Sequence, residues 1–161
     1  APLAAFYVAN KFGHIQAEIG RHQAETAALA MGTARNKLRL DLFEKRLAIY
    51  EATNSFISNV RGLKNGTESD VFELIRSTKA AIWLFDEKTA NFITKQVRHD
   101  ALALEDVIGN LELDPDEGEK RELLAKRREL YRRFVEHQTV LHDLMTPYLR
   151  FTEDPPGAHH S

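Results

Sequence analysis

The sequence predicts an all-α protein, a four-helix antiparallel bundle with a long N-terminal helix extending as a coiled-coil-like arm. Three observations lead there. The prolines are Pro2, Pro115, Pro147, Pro155 and Pro156, so between residues 3 and 114 no ring removes an i→i−4 hydrogen bond, and long helices are permitted. Clusters of β-branched residues with period-two alternation are absent. From Asn36 to Arg61, Leu40, Phe43, Leu47, Tyr50 and Ile57 recur at helical spacing, and Leu42, Ile49, Phe56 and Val60 widen the row into a broad face. A face that wide is buried against several neighbours rather than one. Residues 1–37 read as the helical arm, 38–151 as the bundle and 152–161 as a disordered tail.

Residues 3 to about 61 contain no breaker stronger than glycine and suit one helix about 90 Å long at 1.5 Å per residue. In its first half Ile15, Ile19, His22, Thr26, Leu29, Thr33, Asn36 and Leu40 continue the spacing, but half of them are polar. A second row is small: Gly13, Ala17, Gly20, Ala24, Ala27, Met31 and Ala34. Small residues in register let two helix backbones approach closely. A half-helix of this kind cannot bury itself. The expectation is a homo-oligomer in which residues 10–37 meet copies of themselves through Gly13, Ile15, Ala17, Ile19, Gly20, Ala24 and Leu29. The alternative is an arm folded back on its own chain. Ahead of it, residues 2 to 9 form an apolar run shorter than the roughly 20 residues a bilayer requires. This run reads either as the end of a membrane-spanning helix or as an ordinary helix start. In the first case Lys11, His14 and Arg21 place the downstream chain on the cytoplasmic side.

Gly62 to Asp70 is the first break, with Gly62 at a helix C′ position and Asn65-Gly66 as a turn pair. Thr67 and Asp70 form a capping pattern. The helix that follows is expected to bury Val71, Ile75, Ile82 and Phe85, with Phe72, Leu74 and Trp83 widening the face. Asp86 caps a third helix, Glu87 to about Leu113, whose buried face holds Phe92, Ile93, Val97, Leu104, Val107, Ile108 and Leu111. Asp114-Pro115-Asp116-Glu117 then reads as N-cap, N1 proline and acidic first turn. The last helix carries Leu123, Leu130, Phe134, Leu141, Leu144 and Tyr148, with Pro147 loosening its final turn.

Little in the chain suggests covalent chemistry. With 22 basic and 24 acidic residues and a net charge of −2, no excess of one sign argues for nucleic acid. There is no cysteine, which excludes disulfides, thiolate metal sites and cysteine nucleophiles. His14, Glu18, His22 and Glu25 line one helical face, but no second histidine-bearing motif answers them. The Glu-x-x-His pairs of a diiron bundle are missing at Glu18, Glu105 and Glu129. Ser55, Ser58, Ser69 and Ser77 lack a glycine-framed elbow, and no Gly-rich phosphate loop occurs. Between Glu117 and Arg133, acids and bases alternate at one-turn spacing, the pattern of a solvated face. The expectation is no catalytic residue, no cofactor and no metal.

The segment Arg39-Leu-Asp-Leu-Phe-Glu-Lys-Arg-Leu-Ala-Ile-Tyr-Glu-Ala52 resembles one that recurs in small uncharacterised bacterial proteins with an N-terminal transmembrane helix and a cytoplasmic helical domain. Ile82-Trp-Leu-Phe85, followed by Asp86-Glu87, and Pro147-Tyr-Leu149 are similar to further pieces of that group. The resemblance implies a bundle at the cytoplasmic face of a bacterial inner membrane, with a plain cytoplasmic location as the alternative. It transfers no catalytic residue. The expected role is therefore a non-enzymatic, membrane-associated scaffold or assembly module with an unknown protein partner. A sensory bundle that binds a small ligand or metal between helices is the alternative.

Overall fold

The computed structural model describes residues 2–62 and 67–150, and within the first helix the side chains of residue 14 and of residues from 16 onward. The helices are α1 (Pro2–Arg61), α2 (Glu68–Thr78), α3 (Ala81–Leu84), α4 (Glu87–Asn91), α5 (Arg98–Glu112) and α6 (Glu117–Leu149), with a π-helical stretch at Phe92–Val97 joining α4 to α5. No strand occurs among the described residues. The expected all-α bundle with a long first helix is what forms. The chain divides into two units, Ala1–Asp41 and Leu42–Ser161. The expected tail, 152–161, and the Asn65-Gly66 turn lie outside the described residues.

In the second unit, α1 contributes Ile49, Thr53, Phe56, Ile57 and Val60 to the core, all buried on one helical face. Thr53 belongs there because its hydroxyl donates to the Ile49 carbonyl at 2.8 Å, so no polar group is left unpaired. Gly62 closes the helix by donating its N–H to the Ser58 carbonyl at 2.9 Å. The capping box at α2 is formed: Thr67 Oγ1 accepts from the Asp70 N–H at 3.3 Å, and Asp70 Oδ2 accepts from the Thr67 N–H at 3.0 Å.

The single helix expected from Thr67 to Phe85 is instead two, separated by a turn at Lys79–Ala80. Both turn residues keep right-handed angles (φ −56° and −79°), and the Trp83 N–H donates to the Ala80 carbonyl at 3.0 Å, so the path tightens rather than reverses. The buried row is Val71, Leu74, Thr78 and Ala81. Phe72 and Ile82 each follow a buried residue by one position, a step of about 100° around a helix, and are exposed. Trp83 is 82% exposed, not part of the core. Arg46 ties α3 down from outside. Its Nε donates to the Leu84 carbonyl at 2.9 Å, and its guanidinium stands 4.9 Å from the Tyr148 ring centre and 5.9 Å from that of Phe85. Burial draws the Arg46 guanidinium below its ordinary range.

Asp86 caps α4 as expected. Its Oδ1 accepts from the Thr89 N–H at 2.7 Å, and this bond above all holds its carboxyl below the usual carboxylate range. Through the π stretch and α5, the expected Phe92, Ile93, Val97, Leu104 and Val107 are buried, and Ile108 and Leu111 half-buried. The cap of α6 differs from expectation. Asp116, not Asp114, accepts from Gly118 N and Glu119 N, both at 2.9 Å, while Asp114 (φ 53°) takes the left-handed turn that ends α5. Aspartate tolerates both positions, so a run with two of them leaves the register open to a two-residue slip. Asp116→Ala is accordingly expected to cost about 1 kcal/mol in urea unfolding, and Asp114→Asn almost nothing. The reverse order would restore Asp114 as the cap.

On α6, Leu130, Phe134, Leu141 and Met145 are buried, Leu123 and Leu144 pack half-buried around them, and half-buried Tyr148 meets Phe85. Phe134 meets Phe56 of α1 edge-on at 5.8 Å between ring centres. Gln138 joins the same helices through polar bonds, accepting from Arg61 and donating to Asn54 at 3.3 Å. α6 runs through Pro147 to Leu149.

Candidate functional site

The residues expected to mediate self-association fall in the first unit. Gly13 and Ile15 lie outside the residues whose side chains are described. Ala17, Ile19, Gly20, Ala24 and Leu29 are all exposed, as is every residue from 16 to 38. Leu29 and Met31 are each 74% exposed, much for such large apolar side chains. A Cβ added at Gly20 or Gly32 would meet nothing within 4 Å. Ile19, His22, Gln23, Thr26, Ala27 and Ala30 line an open hollow of about 500 Å³, the small alanines leaving space beside the larger Ile19. His22 Nδ1 stands 3.6 Å from Glu25 Oε2, both in water. No group of three or more histidines and carboxylates gathers in metal-binding geometry among the described residues.

The second constellation was not anticipated. Its centre is Asp100, which is 1% exposed on α5 just past the π stretch. A carboxylate in that position must be answered by donors. Two residues of α6 answer it. His137 Nε2 lies 2.8 Å from Oδ2, and Arg133 Nη1 lies 3.0 Å from Oδ1. The Arg133 contact is out of line for a hydrogen bond, so the attraction there is Coulombic. The imidazole is further held by ring edges, with Phe92 and Phe134 centred 5.3 and 5.6 Å away at interplanar angles of 82° and 85°. The wider turn of the π stretch supplies Lys95 and Gln96, and α5 supplies His99. These three, with Asp100, Arg133 and His137, line a cavity of about 390 Å³ between helices. π turns of this kind are frequent at functional sites.

No family model, curated protein or solved structure matches this chain. The family resemblance therefore rests on its motifs alone. No helix is long and apolar enough to cross a membrane among the described residues.

The six residues lining the cavity offer it charge and hydrogen-bonding groups. At α3, Trp83 faces outward, and Phe85 packs edge-on against Tyr148 at 5.0 Å. A signal for the Asp100 constellation was present in the sequence. Asp100 lies between Val97 and Leu104 on the buried row of one helix, and His137 between Phe134 and Leu141 on that of another. Polar residues at core positions on two neighbouring helices are candidates to find each other.

Proposed function

We propose that the protein is a non-enzymatic helical assembly module whose first unit pairs with the same segment of a second copy. The observation that carries this reading is the uncovered apolar side chains on both rows of α1, Leu29 on one and Met31 on the other each 74% exposed, on a helix whose Gly20 and Gly32 have open space around them. Helical stability in water comes mostly from packing an amphipathic face, so such a row calls for a cover. Charge selects a second copy, running antiparallel. Glu18 and Glu25, with Arg21 between them, precede an uncharged stretch, residues 26–34, and Arg35 and Lys37 follow it. Antiparallel pairing centred near Ala27 sets Glu18 of each copy opposite Arg35 and Lys37 of the other, whereas parallel pairing stacks like on like. The resemblance adds a place at the cytoplasmic face of a bacterial inner membrane to this proposal.

Light scattering on the intact chain and on a chain beginning at Asn36 tests the pairing. The intact chain is expected at twice its monomer mass and the shortened one at monomer mass, with circular dichroism confirming that the shortened chain is folded. Equal copy numbers per particle would end the proposal. Gly20→Ala adds a second readout. In an unpaired helix it stabilises by about 1 kcal/mol, whereas at a close backbone contact it weakens association. A bundle that binds a small ligand between helices is the second reading, favoured by the cavity around Asp100.

A further inference from the structure

We infer that the cavity between the π stretch and α6 is a binding site for a small soluble oxyanion, a phosphate or carboxylate group held by Lys95 and Arg133. The inference is independent of the pairing of copies. Lys95 and Arg133 bring two permanent positive charges to the cavity, against one negative charge on Asp100. That negative charge is turned inward. Asp100 is 1% exposed and engaged by His137 Nε2 at 2.8 Å and Arg133 Nη1 at 3.0 Å, so it anchors the two side chains instead of facing solvent. Arg133 is 44% exposed, which leaves part of its planar fork open to a ligand, and a guanidinium already held on one edge loses little freedom on binding an anion with the rest. The Gln96 amide and the His99 ring add further hydrogen-bonding groups at the same opening. The volume, about 390 Å³, falls at the small end of the range for ligand sites, about 300–1,000 Å³. The six residues come from three elements held together by the contacts of the buried Asp100 carboxylate, so the site is built before any ligand arrives.

The test titrates the full chain with inorganic phosphate while the imidazole resonances of His99 and His137 are followed, using sodium chloride at matched ionic strength as the control. Both resonances are expected to move along a saturable curve that chloride does not reproduce, while His14 and His22 stay still. Lys95→Gln, at an exposed position, is expected to weaken binding about tenfold through loss of a charge-assisted contact, and Arg133→Gln by at least as much. A glycerol phosphate arm and a succinate arm distinguish phosphate monoester from carboxylate, and either one binding with the same sensitivity to Lys95→Gln upholds the site. Movement equal in phosphate and chloride, or a phosphate curve unchanged in Lys95→Gln and Arg133→Gln alike, overturns it. So does retention on phosphatidylglycerol vesicles with no response to phosphate, glycerol phosphate or succinate, since the surface would then read lipid rather than a small ion.

Discussion

Phe134→Ala is expected to cost about 3–5 kcal/mol, the largest effect of any single substitution in the bundle. Phe134 is fully buried on α6, and its ring meets Phe56 of α1 on one side and His137 on another. Truncation removes the ring from water-free surroundings and leaves a cavity that rigid neighbours on two helices cannot collapse to fill. Domains of this size are stable by about 5–15 kcal/mol in total, so the variant would sit near its unfolding midpoint at modest urea. Urea unfolding followed by far-ultraviolet circular dichroism measures the loss, and Phe134→Leu, which keeps most of the volume, should recover more than half of it. A loss below about 1 kcal/mol would mean that α6 is not the packed centre described above.

Asp100→Ala is expected to cost about 2 kcal/mol, less than the 3–5 typical of breaking a fully buried ion pair. The reduction comes from Arg133, whose side chain is 44% exposed and can turn to water when its partner is gone. His137 has no such escape. It is only 12% exposed, wedged between Phe92 and Phe134, and would keep a ring nitrogen without its acceptor. Asp100→Asn should therefore be milder than Asp100→Ala, because the amide oxygen still accepts from the imidazole. Asp100→Leu combined with His137→Leu removes both members at once, and should be less destabilising than the sum of the two single changes. Additivity in this cycle would show that the two side chains do not support each other.

Much of the architecture could be read from spacing alone because burial and periodicity are the same fact seen twice. Ile49, Phe56, Ile57 and Val60, then Val97, Leu104 and Val107, then Leu130, Phe134 and Leu141 occupy the core where their intervals place them. The failures cluster where interval and burial separate. Ile82, Trp83 and Phe72 are as apolar as their buried neighbours, and only the short turn at Lys79–Ala80 and one step of helical rotation set them outside. At the α5–α6 connection, Asp114 and Asp116 are chemically equal capping residues, and the choice between them depends on where the preceding helix runs out of partners. The site around Asp100 was hidden for a different reason. Scanning for apolar rows passes over the polar residue inside each row, and pairing Asp100 with His137 requires knowing which two helices touch. The π stretch leaves no mark in periodicity over so few residues, yet it supplies Lys95 and Gln96 to the cavity.

Trp83 is the chain's one tryptophan, and it stands in solvent at the surface of α3. An indole surrounded by water has much the same emission colour in a folded chain as in an unfolded one. The intrinsic fluorescence of this protein is therefore nearly silent about its own melting, and it responds instead to whatever comes to rest over α3.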